Sequence, residues 1–428
     1  MRGAFVSIRT KFSSRVSVLL TATHPERICS SSELNALRGA ILARMKRDGV
    51  SRRALLKAAG SAGMMAGAAE SALAFQRSGP VQHEVATNSQ DTTPKYSIKF
   101  SVIGLDHDHI NGITSALKSG GGQLVAAYSN NPAGLADYRK RNPDVKVAQS
   151  EDEILNDTSI QLIASAAIPD QRAPIGIRAM RHGKDYLTDK PGIITLERLA
   201  EVRKTIKETG RKFAIMYSER LGVKAAVKCG ELVKSGAIGK VVQTINIAPH
   251  QVNEPVRPDW FWDPARYGGI LTDIGSHQVD EFIYYTGSTA AQVVASRVAN
   301  LNYHHRPKFQ DWGDMMLQGN GGFGYVRVDW FTPDGLGIWG DGRGFILGTD
   351  GYIEMRKYID IGGKPGGNHL FLVDKKATRY IDCNQLTLPF GSQFVGDVVN
   401  RTQVAQNQEQ ALLATEIALK AQKNAKVV

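Results

Sequence analysis

The sequence predicts an α/β domain followed by an α+β domain: an N-terminal Rossmann-type doubly wound parallel sheet, then a C-terminal, mostly antiparallel open sheet with flanking helices. The chain has 428 residues, more than one ordinary core accommodates. Residues 96–217 alternate short apolar segments with amphipathic ones, which is typical of parallel strands joined by helical crossovers. Residues 218–428 contain segments rich in Val, Ile, Tyr and Trp that follow one another without regular crossover helices.

The net charge of +12 is concentrated near the N-terminus. Residues 1–74 contain 12 Lys and Arg against 4 Asp and Glu, a net charge of +8, which leaves +4 for the rest of the chain. The body has no basic patch with interleaved aromatic residues, so nucleic acid is not an expected partner.

The basic leader predicts export by the twin-arginine route. Residues 51–57, Ser-Arg-Arg-Ala-Leu-Leu-Lys, precede a weakly apolar run that ends at Ala74. Charged residues and glycines interrupt this run, which makes it too polar for a firm membrane anchor. We interpret residues 45–74 as a cleaved signal and residues 1–44 as an over-extended start. A periplasmic location follows, with the twin-arginine export machinery as a partner.

Residues 75–95 are polar and rich in Gln, Ser, Thr and Pro, which predicts a linker to the folded body. Two cysteines of the body, Cys229 and Cys383, lie far apart in sequence and have no metal-type spacing. They make no disulfide framework, and a single bridge between them stays open.

The N-terminal domain, residues 96–217, is predicted to contain six strands and five helices in alternation. The predicted strands are 97–103, 123–128, 146–147, 160–166, 185–188 and 212–216. The predicted helices are 110–118, 133–141, one near 152, 174–182 and 196–209.

The C-terminal domain, residues 218–428, is predicted to form one sheet with helices beside it and a last helix at its end. The predicted strands are 242–248, 291–298, 312–317, 322–331, 344–348 and 352–356. The predicted helices are 223–235, 274–286 and 403–424. Broad antiparallel faces often pair, so this sheet predicts a homo-oligomer.

The first strand leads into Gly104, where a dinucleotide-binding loop would read Gly-x-Gly-x-x-Gly to let the backbone approach a pyrophosphate at a helix N-terminus. Here Asp106 replaces the second glycine and His107 follows it. An acidic side chain near phosphate is unfavourable unless it turns away, for example to cap the helix. The loop therefore departs from the NAD(P)-binding pattern.

The second strand ends at Ser129 and Asn130, where an acidic residue would bind the ribose hydroxyls of NAD. Without that carboxylate a 2′-phosphate is not repelled, which permits NADP. The alternative is that these two residues form a turn before Pro132.

Three residues suit the interconversion of an alcohol and a carbonyl. Lys190 follows a strand and can donate a hydrogen bond to an alcohol oxygen, and His277 can take the proton near neutral pH. Asp273 lies four residues before His277, so on a helix it shares one face with that imidazole and can orient and tune it. The alternatives are a surface lysine, a helix N-cap at Asp273 and a core histidine at residue 277.

Other chemistries fit less well. Asp273 and His277 give a metal two ligands, and no third ligand has a suitable spacing, so no metal site is expected. No Gly-x-Ser-x-Gly elbow indicates a nucleophilic serine.

From Tyr96 onward the sequence resembles the family of glucose-fructose oxidoreductases, inositol dehydrogenases and their relatives (Gfo/Idh/MocA). The features that carry the resemblance are the strand-Gly start, Pro169, Asp189-Lys190-Pro191 where the family usually has Glu-Lys-Pro, residues 235–240, the Gly-Gly to Asp-x-Gly-x-His stretch of 268–277, and residues 348–351. The chain resembles an exported member of that family.

The resemblance implies that Lys190 positions a hydroxyl, His277 accepts its proton and Asp273 supports both. It also implies a bound NADP or NAD. The expected cofactor contacts are Gly104, Asp106, His107, Ser129, Asn130, Ala167, Pro169 and Lys190. The expected carbohydrate contacts are Tyr217, Arg220, His250, Trp260 and Arg266, each of which is equally compatible with structural packing.

The implied function is an NAD(P)-dependent oxidoreductase that acts on a CH–OH group of a sugar or polyol with a tightly bound cofactor. One alternative is a redox-neutral, NAD-dependent glycosidase of the same family. Another is an exported carbohydrate-binding protein that has lost the cofactor, a reading that Asp106 favours.

Overall fold

The computed structural model describes residues 81–89 and 91–428, so the predicted start and export signal lie outside the described residues. The N-terminal domain is a six-stranded parallel sheet, as predicted, and strands and helices alternate along the chain. Its strands are β2 (Ile98–Leu105), β3 (Gly122–Tyr128), β4 (Lys146–Val147), β5 (Leu162–Ala166), β6 (Asp185–Asp189) and β7 (Phe213–Met216). The crossover helices are α1 (His109–Ser119), α2 (Pro132–Arg141), α3 (Glu151–Leu155), α4 (Pro169–Arg181) and α5 (Leu196–Thr209).

The strand order of this sheet is β4-β3-β2-β5-β6-β7. The order reverses between β2 and β5, and this is the arrangement in which dinucleotides bind across the crevice at the carboxyl ends of the strands. Strands β5 and β6 are buried along their whole length, as expected of inner strands of a parallel sheet.

The C-terminal sheet has ten strands and is mostly antiparallel, which confirms the predicted class. The strands are β1 (Gln82–Val85), β8 (Val241–Pro249), β9 (Ala291–Ala299), β10 (Trp312–Gly319), β11 (Gly322–Asp329), β12 (Arg343–Gly348), β13 (Gly351–Arg356), β14 (His369–Asp374), β15 (Thr378–Asp382) and β16 (Lys426–Val427). Their order in the sheet is β1-β15-β14-β13-β12-β8-β11-β10-β9-β16.

Helices of the C-terminal domain cover one face of this sheet and connect it to the N-terminal domain. They are α6 (Ser218–Leu221), α7 (Lys224–Lys234), α8 (Pro264–Tyr267), α9 (Ile270–Asp273), α10 (Gly275–Thr286), α11 (Phe390–Asn400) and α12 (Gln408–Lys423). Helix α12 contacts α9, α10, α5 and β9, so the end of the chain ties both domains together.

The structure corrects three sequence predictions. Residues 82–85, placed in the linker, form strand β1, which pairs in parallel with β15. Helix α4 begins at Pro169 rather than at residue 174, because a proline fits the first helical position. The predicted helix 403–424 begins only at residue 408, because the carboxylate of Asp397 accepts hydrogen bonds from the backbone of Val404 and Ala405 and holds those residues outside the helix.

Cys229 and Cys383 are both buried and free, so neither forms a disulfide. Within residues 81–89 and 91–428, no helix has the length and apolarity needed to cross a bilayer.

Candidate active site

A cavity of about 400 Å³ lies at the carboxyl ends of the parallel strands, beside the C-terminal sheet. Strand β6 delivers Lys190 to it and α10 delivers His277, so the two domains contribute together. Its lining residues are His107, His109, Pro169, Arg172, Lys190, Ser218, Glu219, Gly222, Val223, His250, Gln251, Arg257, Trp260, Phe261, Asp273, His277, Trp330, Trp339 and Tyr358. All three residues predicted to be catalytic therefore line one cavity.

Lys190 and Asp273 form an ion pair in the wall of this cavity. The Lys190 Nζ lies 3.1 Å from the Asp273 Oδ1, and the two side chains are only 8% and 13% exposed. The two residues are 83 positions apart in sequence, so the contact depends on how the domains pack. Asp273 does not cap a helix, because α10 begins without a side-chain cap.

Close packing against α12 fixes the position of α9, the helix that contains Asp273. Gly269, just before it, has φ of 83°, and a Cβ there would lie 2.3 Å from the Gln422 side chain. Gln422 Oε1 accepts a hydrogen bond from the Leu271 backbone N–H at 2.9 Å. The glycine is thus required by both its backbone conformation and the close approach of α12.

His277 is 2% exposed and packs edge-on against Tyr217, with ring centroids 6.0 Å apart. Its Nδ1 is buried without a hydrogen-bond partner. Burial lowers the pKa of His277 well below its ordinary value, which keeps the imidazole neutral and available as a base. Among the hydrogen bonds of the described residues none joins Asp273 to His277, so the predicted orienting bond between these two side chains is not formed.

Lys357, Glu219 and Glu281 form a cluster of buried charged side chains next to the cavity. The Lys357 Nζ lies 2.8 Å from Glu219 Oε2 and 2.6 Å from Glu281 Oε1. Burial alone would raise the pKa of Glu219, but Lys357 outweighs it and lowers that pKa to about 2. Burial raises the pKa of Glu281 to about 7. Lys357 thus favours the ionised form of Glu219, which is the carboxylate of the two that lines the cavity.

A second cluster is centred on Asp189, the residue before Lys190. Its carboxylate contacts His107 Nδ1 at 2.8 Å, His109 Nδ1 at 2.9 Å and the Arg172 guanidinium at 3.1 Å. Burial alone would raise the pKa of Asp189, but the imidazole of His109, the Arg172 guanidinium and the second imidazole hold it well below its ordinary value. Partial burial and the neighbouring His109 lower the pKa of His107 to about 4.

These groups also have the spacing of a cation site, since ligand atoms of His107, His109 and Asp189 lie within 4.8 Å of one another. Arg172 already neutralises the carboxylate, and a carboxylate that only accepts hydrogen bonds requires each imidazole to donate from Nδ1. We therefore assign the cluster to hydrogen bonding, which fixes both imidazoles beside Lys190.

The loop after β2 departs from the glycine-rich pattern but keeps its tight turn. Gly104 has φ of 87°, and a Cβ there would lie 2.4 Å from the Ala167 Cβ, so only glycine fits. The Asp106 Oδ1 accepts a hydrogen bond from Asn131 Nδ2 at 3.3 Å, which directs the carboxylate to the loop after β3. It does not cap α1, because that helix has no side-chain cap. Asp106 therefore does not occupy the N-terminus of α1, where a pyrophosphate would bind. Together with the strand order, this arrangement is compatible with a bound dinucleotide.

The remaining predicted cofactor contacts divide into two groups. Pro169 starts α4 and lines the cavity, while Ala167 precedes it and is buried. Ser129 and Asn130 form a turn before α2, in which Ser129 Oγ accepts from the Asn131 backbone N–H at 3.1 Å. Neither residue lines the cavity, and their contact with a cofactor stays a prediction beside the observed turn.

Of the five residues predicted to face a carbohydrate, His250 and Trp260 line the cavity. The other three are engaged elsewhere. Tyr217 is buried and bonds Thr415, Arg220 is paired with Asp280, and Arg266 is paired with Asp170. Each polar end thus has a partner outside the cavity, and contact of these three residues with a carbohydrate stays a prediction.

The cavity also has an aromatic wall that no sequence pattern predicted. Trp330 and Trp339 both pack on His250, with ring centroids at 5.4 Å and 4.7 Å, and Arg257 lies 5.2 Å from the Trp330 ring. Burial lowers the pKa of His250 to about 4, so this imidazole is also neutral. Aromatic faces beside hydrogen-bonding groups suit a ring that has an apolar C–H face and hydroxyl groups at its edge.

Two family models match the chain, and together they cover more than half of it. The first, described as an oxidoreductase family with an NAD-binding Rossmann fold, matches residues 98–217. The second, the GFO/IDH/MocA C-terminal domain, matches residues 227–354.

Solved structures of similar fold include a protein from Erwinia carotovora atroseptica SCRI1043 that is described as a candidate oxidoreductase. It is 43% identical, covers 78% of this chain and 100% of its own, and gives a TM-score of 0.75. A levoglucosan dehydrogenase in complex with NADH and levoglucosan is 16% identical, covers 77% of this chain and 98% of its own, and has a TM-score of 0.65.

Among curated proteins, a D-xylose dehydrogenase of Paenarthrobacter nicotinovorans is 25% identical over 34% of this chain and 39% of its own length. A scyllo-inositol 2-dehydrogenase (NADP(+)) of Bacillus subtilis strain 168 is 22% identical over 38% of this chain and 46% of its own. The chain thus spans less than half the length of either curated relative.

Proposed function

Because the chain belongs to the GFO/IDH/MocA family of NAD(P)-binding oxidoreductases, we propose that it moves a hydride between a hydroxyl-bearing carbon of a sugar or polyol and a nicotinamide dinucleotide. The observation that carries this proposal is the meeting of Lys190, Asp273 and His277 in one cavity. An ammonium that donates hydrogen bonds and a neutral imidazole beside it suit a hydroxyl that must lose its proton.

Asp273, Lys190 and His277 each have a separate role in this reaction. Asp273 holds the ammonium of Lys190, which donates a hydrogen bond to the substrate oxygen. His277 takes the hydroxyl proton at Nε2, since Nδ1 is buried in the wall. A nicotinamide held at the carboxyl ends of the parallel strands would supply the acceptor for the hydride of the same carbon. Trp330 and Trp339 line the same cavity and offer aromatic surface to the ring of the substrate.

The test of this proposal is mass spectrometry of the denatured, purified protein for released NAD or NADP, followed by a spectrum of reduced nicotinamide after sugars and polyols are added. We expect bound dinucleotide and a sugar-dependent absorbance change. Cleavage of a glycoside without net absorbance change would favour the redox-neutral alternative. If the protein contains no dinucleotide but binds a carbohydrate, the result would favour a carbohydrate-binding protein without catalytic activity.

We also propose that the protein is exported by the twin-arginine route and works in the periplasm, a proposal that rests on residues 51–57 and the weakly apolar run after them. A cofactor that is bound tightly before export suits a compartment without a ready supply of nucleotide. Replacing Arg52 and Arg53 together by lysine is expected to retain the protein in the cytoplasm, measured by cell fractionation. An unchanged periplasmic fraction would contradict it.

The open face of the ten-stranded sheet supports a homo-oligomer, and we propose that a second copy covers it. Met316 (53% exposed), Phe323 (52%) and Leu347 (46%) lie on this face. Two charge pairs, Arg297 with Asp314 and Arg356 with Glu354, add both signs of charge to the surface. A face that combines apolar area with both charges is complementary to itself across a two-fold axis.

Replacing Phe323 by aspartate is expected to convert the oligomer to monomer, because a buried, unpaired carboxylate at the interface costs several kcal/mol. The measurement is molar mass by light scattering after size exclusion. The matched control is Leu301→Asp, since Leu301 is 54% exposed but lies in a loop. A wild-type protein of monomer mass, or a Phe323→Asp variant of unchanged oligomer mass, would reject the interface.

A further inference from the structure

Glu219 is a carboxylate of the cavity wall that the sequence pattern did not single out. It lies in the short helix α6 and is 3% exposed. One of its oxygens, Oε1, has no hydrogen-bond partner, and the same is true of Nδ1 of His277, which lines the same cavity. Buried polar atoms without partners are uncommon in native proteins and indicate a functional role or an intervening water.

Lys357 favours the ionised form of Glu219, as described above, while leaving Oε1 free. The arrangement has an internal counterpart, because Glu281 contacts the same ammonium, is equally buried, and does not line the cavity. Of the two carboxylates that contact Lys357, only Glu219 lines the cavity.

The charges that face His277 come from several elements. Lys190 after β6, His109 in α1 and Lys357 after β13 all disfavour a proton on this imidazole. Glu219 acts in the opposite sense: among the neighbouring charges it has the largest effect on the pKa of His277, and it raises that pKa.

The other groups nearby are engaged. Asp273 is paired with Lys190, Tyr217 bonds Thr415, and His250 is neutral in its aromatic wall.

We propose that Glu219, rather than Asp273, is the positioning residue for His277: its carboxylate stabilises the imidazolium that forms when His277 accepts the substrate proton. The inference rests on the proposed function. In the oxidation the hydroxyl proton moves to His277, the hydride leaves the same carbon for the nicotinamide, and the carbon–oxygen double bond forms. A cation created inside a buried wall needs a nearby anion, and Glu219 supplies one without being consumed.

The experiment compares Glu219→Gln with Glu281→Gln, each purified with its cofactor. Glu219→Gln is expected to lower kcat about 10²-fold with KM within about threefold, because the interaction exists only in the transition state. The acid limb of the kcat/KM profile is expected to move to lower pH, since loss of the anion lowers the pKa of His277. Glu281→Gln is expected to keep kcat within about threefold and leave the profile in place.

Glu219→Asp preserves the charge and is expected to recover part of kcat, which a purely structural role would not give; it also serves if Glu219→Gln fails to fold. Three results would overturn the inference: Glu219→Gln with wild-type kcat and profile, equal losses in Glu219→Gln and Glu281→Gln, or a rise in KM alone, which would make Glu219 a substrate contact. Wild-type protein that oxidises no sugar or polyol would instead refute the proposed function.

Discussion

Replacing Lys190 by methionine is expected to lower kcat/KM by about 10³-fold while leaving the protein folded. Loss of a positioned proton-transfer or hydrogen-bonding group costs roughly 10²–10⁴-fold in rate, and here the substitution also leaves Asp273 without its partner at 3.1 Å. The measurement is steady-state oxidation of the sugar or polyol on which the wild type is most active, with the bound dinucleotide quantified in each preparation.

Two controls separate chemistry from packing. Lys184 is also buried, six residues earlier, but its Nζ donates to the backbone oxygens of Asp157 and Ile160 and does not reach the cavity. Lys184→Met is therefore expected to cost stability and to retain kcat/KM within about threefold. Lys190→Arg keeps the charge in a different geometry and is expected to recover little activity. A Lys190→Met variant with kcat/KM near that of the wild type, or a double variant of Lys190 and His277 that turns over normally, would refute the assignment.

Replacing Lys357 by methionine is expected to lower the free energy of unfolding by about 3–5 kcal/mol, the usual effect of removing one partner from a buried ion pair. The Lys357 side chain is 1% exposed and neutralises two carboxylates that are 4% and 0% exposed. Without the ammonium, both carboxylates remain in a wall that water does not reach. Denaturant unfolding monitored by tryptophan fluorescence measures the change.

The matched control is Lys228→Met, because Lys228 forms a partly exposed pair with Glu231 at 3.0 Å. Exposed pairs contribute about 0–1 kcal/mol, so this variant is expected to unfold almost as the wild type does. Adding Glu219→Gln and Glu281→Gln to Lys357→Met is expected to recover part of the loss, since no uncompensated charge then remains. A Lys357→Met variant less than about 1 kcal/mol below the wild type would show that the cluster does not stabilise the fold.

Local sequence patterns were sufficient to predict most helices and strands of the N-terminal domain. Helix α5 has the predicted bounds because a capping threonine and a C-terminal glycine define its two ends. The bounds of strand β4 also match the prediction. Strands β14 and β15 were missed, since glycine-rich and charged residues surround them. They form strands through pairing of β14 with β13 and of β15 with β14. Strand β1 was missed for the same reason, as its four residues are exposed and depend on β15.

The sequence by itself determined the class of both sheets and the three residue types that suit alcohol oxidation, because alternation of apolar and polar residues and motif spacing are local properties. Only the tertiary structure decided which charges meet. It paired Asp273 with Lys190 rather than with His277, engaged Tyr217, Arg220 and Arg266 away from the cavity, and brought Glu219 and Lys357 together across 138 residues. The physical reason is that electrostatic partners are chosen by distance and burial, which depend on strand order and helix packing and not on position along the chain.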